Sequence, residues 1–198
     1  MKKYDRSFHT KRENRLDQYT CMAKEVLRIK PDCKQILDIG CSNGALLYGI
    51  QKVNPSIMCA GLDFSVNLND LIFVGVYIDH NLTQGVKTIT KADIINCQEV
   101  IEHVDAKYEG DIIKTITTNS KKGTALIFSG AIEGQKGRNH INCRSLIYWQ
   151  CLLQEQGWQL DKQATATYSK NTKESGIVPK HYYNNTMVFT QTREGNDL

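Results

Sequence analysis

The sequence predicts an α/β fold built on a mostly parallel, seven-stranded sheet, with helices on both faces and an antiparallel strand at its C-terminal end. Three observations predict it. Apolar runs of strand length alternate with segments of helical spacing, the pattern of a parallel sheet whose faces are covered. The turn Gly40-Cys41-Ser42-Asn43-Gly44 follows the first of those runs and leads into a helix. Two β-type runs close the chain with no helix between them long enough to make them parallel.

Each element has its own signal. Residues 10–30 place Leu16, Tyr19, Ala23, Val26 and Leu27 at helical spacing, and Pro31-Asp32 ends that helix. A short buried strand is expected over 35–39 and a helix over 45–50 after the glycine turn. Further strands are expected over 57–62, ending at Asp63-Phe64-Ser65, and over 72–78, stopping at Asp79-His80-Asn81. The run 92–97 ends at Gln98-Glu99, and 124–128 is the fifth strand. Helices are expected over 108–119 and 145–156, the second stopped by Gly157. The closing strands are 163–168 and 186–191.

The 198 residues fit one domain. Residues 1–30 read as a helical lid belonging to that domain, 31–192 as its body and 193–198 as a tail. A composition of 40% hydrophobic and 23% charged residues excludes a disordered or low-complexity chain. The longest apolar run, 71–78, is too short to cross a membrane, and the charged start Met1-Lys2-Lys3-Tyr4-Asp5-Arg6 gives no reason to expect a secretory leader. Seven cysteines without a C-x-x-C pair indicate neither a disulfide framework nor a zinc ribbon. Reduced, mostly buried thiols in a cytoplasm are expected instead. Of the net +4 charge, residues 1–30 carry nine Lys or Arg against four Asp or Glu, so they hold +5 and the remainder −1. That basic helix either steers an anionic acceptor or is a solvated face.

Ligands of such sheets gather at the carboxyl ends of the strands. Gly40 and Gly44 let backbone approach a ligand there, and Asp63, about 20 residues further on, is placed to accept hydrogen bonds from ribose hydroxyls. A dinucleotide fingerprint would need glycines at Gly40, Ser42 and Ala45, so the middle glycine is missing. The spelling Leu37-Asp38-Ile39-Gly40-Cys41-Ser42-Asn43-Gly44 instead resembles the first motif of class I S-adenosylmethionine-dependent methyltransferases, D-x-G-C-G-x-G with Ser42 in place of one glycine. The resemblance runs from about Tyr4 to Gln191 and implies a Rossmann-like fold with S-adenosylmethionine as cofactor. It implies that Asp38 lies near the cofactor's amino-acid end, with Gly40, Cys41 and Gly44 beside the nucleoside. Asp63-Phe64 resembles the second acidic motif, and Asn81-Leu82-Thr83 stands where many members carry Asp-Leu-Thr beside the adenine.

The stretch Cys97-Gln98-Glu99-Val100-Ile101-Glu102-His103 carries the chemistry. If Glu99 opens a helix or turn, Glu102 and His103 follow at i+3 and i+4 on one face. Two carboxylates and an imidazole suit a divalent cation with mixed O and N ligands. His140, in the loop after the fifth strand, is the fourth candidate. The pattern E-x-x-E-H with a later His resembles the metal site of small-RNA 3′-terminal ribose 2′-O-methyltransferases, and its first three residues match the ubiquinone-pathway O-methyltransferases, which place a cofactor contact at Gln98. His140-Ile141-Asn142 with Tyr148-Trp149, and Asn184 to Phe189, more closely resemble small uncharacterised methyltransferases found with glycan-modification genes and in phage.

Two readings stand. In one, Glu99, Glu102, His103 and His140 hold Mn2+ or Mg2+; in the other, the acidic residues close the cofactor pocket and His103, His140 and Glu99 serve catalysis without metal. The expected acceptor is a hydroxyl on a small molecule or glycan, with an RNA ribose as the enzyme alternative and an inactive cofactor-binding scaffold or partner subunit as the non-enzyme one. Ser42, Asn81 and the short segment after Ser65 favour the scaffold; four convergent ligand-type side chains oppose it. Tyr148, Trp149, Trp158, Tyr182 and Tyr183 either shape an acceptor pocket or fill the core, and Lys136 and Arg138 flank His140 with positive charge.

Overall fold

The computed structural model describes residues 15–64 and 66–194. Its elements in order are α1 (Leu16–Ile29), β1 (Gln35–Ile39), α2 (Ala45–Val53), β2 (Met58–Asp63), β3 (Val76–Asp79), β4 (Ile94–Gln98), α3 (Glu109–Thr118), β5 (Ala125–Ser129), α4 (Leu146–Glu155), β6 (Trp158–Leu160), α5 (Lys162–Glu174), α6 (His181–Asn184) and β7 (Met187–Gln191). Single 3-10 turns cover Leu68–Asp70, Ile101–His103 and Ala106–Tyr108.

The seven strands form one sheet in the order β3-β2-β1-β4-β5-β7-β6. Strands β1 to β5 are parallel, and β7 runs antiparallel between β5 and β6. The order reverses between β1 and β4, so a crevice opens at their carboxyl ends.

Strict alternation along the central strands decides what each face carries. Leu37, Ile95, Cys97, Leu126 and Phe128 pack on one face with Ile112, Ile113 and Ile116 of α3 and with Trp149 and Leu153 of α4. Ile36, Ile94 and Ile127 point the other way, into Tyr19, Met22, Ala23 and Val26 of α1 and Leu46, Leu47 and Ile50 of α2. By the same period Asp38, Asn96 and Gln98 share that second face. Helix α1 is therefore a wall of the core: Met22 is 1% exposed and Val26 fully buried. Most of the basic charge expected to lie on this helix falls within residues 1–14, outside the described residues.

Two strand expectations are corrected. Residues 163–168 belong to helix α5, because Asp161 caps it with a carboxylate that accepts the Ala164 N–H at 2.8 Å. Ala164, Tyr168 and Thr172, at i, i+4 and i+8, then turn one stripe inward, with Tyr168 and Thr172 buried. The sixth strand is instead the three-residue β6, on which Trp158 is buried and donates its indole N–H to Thr117 Oγ1 at 3.0 Å. The third strand starts four residues later than expected, at Val76. Gln51 captures the N–H and carbonyl of Val74 at 3.0 and 2.6 Å, which withdraws that backbone from the ladder.

All seven cysteines are free thiols. No helix among the described residues is long and apolar enough to cross a membrane.

Candidate active site

Two groups of side chains meet the crevice at the carboxyl ends of β1 and β4. The first surrounds a small pocket of about 20 Å3 lined by Tyr19, Met22, Asp38, Gly40, Cys41, Leu46, Asn96, Gln98 and Tyr182. Asp38 and Asn96 stand opposite each other in the β1–β4 register, and Asn96 Nδ2 donates to Asp38 Oδ1 at 2.8 Å. Asn96 Oδ1 is buried without a hydrogen-bond partner. A carboxyl group and a spare amide oxygen at a pocket wall suit a cationic ligand group.

The turn beside this pocket needs glycine at its start and is tied to the neighbouring strand. Gly40 has φ +78°, and a Cβ there would stand 2.3 Å from Val100 Cγ2. The Gly40 and Cys41 N–H groups both donate to Leu62 O, tying the turn to β2. Gly44 opens α2, with the Phe73 ring lying against it. Asp63, at the end of β2, accepts the Ser42 N–H on one carboxylate oxygen and the Phe64 N–H on the other, each at 2.6 Å, and so braces the turn. Asn81 closes a local turn, its Oδ1 accepting from Thr83 N and Oγ1. Gln98 is at the pocket, but its amide is committed to Thr186 Oγ1 at 2.7 Å and Tyr168 OH at 3.4 Å.

The second group brings together Glu102, His103 and His140, whose ligand atoms all lie within 4.8 Å of one another. The imidazole rings meet edge to face at 5.1 Å. Both rings are oriented from behind: His103 Nδ1 donates to Asn139 O at 3.2 Å and His140 Nδ1 to Gln135 O at 3.3 Å. Since a carbonyl only accepts, Nδ1 is the donor in each ring, which makes Nε2 the ligand or base atom of the neutral imidazole. Gly137 makes room for His140, because a Cβ there would stand 2.1 Å from Nε2.

Glu102 is fully buried. Burial, then the nearby charge of Glu99, pushes its carboxyl up to about 8. The Ala131 amide favours the charged form, yet neither Glu102 oxygen meets hydrogen-bond geometry. Glu99, at φ +57°, stands outside the three-residue convergence and accepts Ser129 Oγ–H on Oε1 at 2.8 Å. The expected i, i+3, i+4 face therefore forms only in part, because the 3-10 turn begins at Ile101 and leaves Glu99 at the strand end.

Trp149 and Trp158 fill the core rather than line the crevice, while Tyr148 is partly exposed and bonds Glu109. Lys136 and Arg138 are exposed beside His140. Sequence reading missed Asn96, Tyr19 and Met22. Asn96 had a legible signal, a lone amide inside the apolar run 92–97; Tyr19 and Met22 read only as one face of a helix.

The sheet order, the glycine turn at its switch point and the acidic strand ends define the fold of the class I S-adenosylmethionine-dependent methyltransferases. The chain belongs to the methyltransferase domain family, whose model matches residues 11–163. Solved structures share the fold at low identity. An O-methyltransferase family protein from Burkholderia thailandensis superposes with a TM-score of 0.65 at 12% identity, over 93% of this chain and 59% of that one. A sugar N-methyltransferase from Streptoalloteichus gives 0.65 at 11%, over 88% of both chains. Human N-acetylserotonin methyltransferase, solved with S-adenosylmethionine, gives 0.59 at 13%, over 91% and 56%. The chain thus spans less than two thirds of the first and third of these proteins. No curated protein matches it in sequence.

Proposed function

We propose that this chain moves the methyl group of S-adenosylmethionine to a hydroxyl acceptor at a divalent-cation site formed by Glu102, His103 and His140. The observation that carries the reading is the tautomer lock. Two imidazoles whose Nδ1–H groups are taken by backbone carbonyls converge with the buried Glu102 carboxyl, their ligand atoms all within 4.8 Å of one another. Nitrogen-rich donors suit Mn2+ better than Mg2+. A bound cation supplies Lewis acidity, which lowers the pKa of an acceptor hydroxyl.

The remaining roles belong to the chain. Asp38 would meet the ammonium of the cofactor's amino-acid end, with Asn96 Oδ1 as a second acceptor. The present pocket has room for about one water, so Tyr19, Met22 and Tyr182 are the walls that must part. Transfer breaks the C–S bond as the C–O bond forms, and the hydroxyl proton must leave. Without metal, Nε2 of His103 or His140 takes that proton as general base. Holding both reactants at attack distance supplies much of the acceleration.

The acceptor class that fits is a small-molecule or glycan hydroxyl. Exposed Lys136 and Arg138 beside His140 favour an RNA ribose as the second reading. Labelled-methyl transfer to a panel of sugars, phenols, amines and RNA 3′ ends tests the acceptor. Repeating it in chelator, with and without Mn2+, tests the metal. Loss in chelator with recovery on Mn2+ is expected; full activity in chelator would sink the metal route and leave the histidine base.

A further inference from the structure

We propose that Gln135 and Asn185 are positioning residues that together aim His140 into the site. The inference rests on the reading of His140 as a functional imidazole. It concerns a different question, namely what fixes a ring carried by a loop.

The segment between β5 and α4 is irregular. Its backbone is tied down after His140, where the Ile141 and Asn142 N–H groups donate to Glu102 O, but none of those bonds reaches the Gln135 carbonyl that receives His140 Nδ1–H. The side chain of Gln135 fixes that carbonyl. Its Oε1 accepts the Asn185 Nδ2–H at 2.7 Å, from a residue 50 positions further along the chain, and the Ile132 N–H at 3.4 Å. The Gln135 N–H returns to Ile132 O at 3.0 Å and closes the turn. Because Oε1 faces two N–H donors, an oxygen is required there and Asn185 must present its amino group.

Asn185 is only 4% exposed, at the corner between α6 and β7. The next residue anchors that corner to the sheet. Thr186 Oγ1 donates to Tyr182 O at 2.7 Å and accepts Gln98 Nε2–H at 2.7 Å, at the carboxyl end of β4. A chain of hydrogen bonds therefore runs from the strand end that borders the Asp38 pocket, through Thr186 and the adjacent Asn185, to Gln135 and the back of His140. Partners behind a metal-binding or catalytic imidazole fix its tautomer and ring plane, and their loss commonly weakens metal binding by about 10–100-fold. Gly137 completes the cradle from the ring face.

The test uses the full chain with 15N-labelled histidine, metal-free and at about pH 8.5, where an ordinary imidazole is neutral. The His140 ring signals are assigned by their loss in His140→Gln. The wild type should show protonation at Nδ1. Gln135→Met, in a partly exposed loop, and Asn185→Ser should both shift His140 toward a mixture with the Nε2–H form. Gln135→Glu, which keeps an oxygen for both donors, should retain the wild-type tautomer. Mn2+ binding followed by electron paramagnetic resonance should weaken about 10-fold or more in the Met and Ser variants. An unchanged His140 tautomer in both variants overturns the proposal, even if they melt earlier, since a merely structural role would lower stability alone. If the wild type binds no Mn2+ while the tautomer still shifts in the variants, the metal reading fails and the positioning role stands.

Discussion

Glu102→Gln should stabilise the metal-free protein at alkaline pH, although it alters a polar side chain in the interior. The folded protein holds the Glu102 carboxyl at about 8 against an ordinary value of 4.5. A group whose pKa is raised by folding is favourable when protonated, so its contribution is intact below about 4.5 and is lost as pH rises through 8. At about 1.4 kcal/mol per pH unit, the loss across that window has a ceiling of about 5 kcal/mol. Repulsion from Glu99 forms part of it, since burial and that neighbouring charge are its two largest causes. Stability of a domain this size is typically about 5–15 kcal/mol, so the effect is readily measured. Urea unfolding in chelator at pH 5 and pH 8.5 should give similar stabilities for the two proteins in acid. In base the Glu102→Gln variant should be several kcal/mol more stable than the wild type. Saturating Mn2+ should reverse the alkaline order, because only the wild type gains by binding. A variant less stable than wild type at pH 8.5 in chelator, or a difference independent of pH, would refute the reasoning.

Two further outcomes follow from space rather than charge. Gly137→Ala places a Cβ 2.1 Å from His140 Nε2, so the ring must move, and Mn2+ affinity should fall about 10-fold with little change in melting temperature, read by paramagnetic resonance. Gly40→Ala meets Val100 at 2.3 Å and a φ of +78° that alanine rarely adopts, so calorimetric binding of S-adenosylhomocysteine should be lost or fall by at least about 10-fold; unchanged binding would remove Gly40 from the cofactor site.

Much of the fold was legible because it is written in short-range periodicity. Five parallel strands, their order of appearance and the glycine turn follow from apolar runs separated by helical spacing. The failures occurred where the hydrogen bonding of a single side chain, distant in one case and local in the other, decided the outcome. Gln51 captures the Val74 backbone and delays β3, and Asp161 converts a run of alternating appearance into α5. The candidate site divides in the same way. Glu102, His103 and His140 could be named from residue type and from their place after the fourth and fifth strands, whereas the 3-10 turn starting at Ile101 leaves Glu99 at the end of β4, beside Glu102 but outside that three-residue group.

By itself the sequence determined the segments that become the five parallel strands, the glycine turn after the first and the residue types waiting at their carboxyl ends, because each depends on neighbours within a few positions. Only the tertiary structure decided which of those residues meet. Asp38 and Asn96 are 58 positions apart yet share one hydrogen bond, and Asn185 reaches Gln135 across 50 positions to stand behind His140. Side chains brought together by strand register and loop packing leave no periodic trace along the chain, so their convergence is visible only in three dimensions.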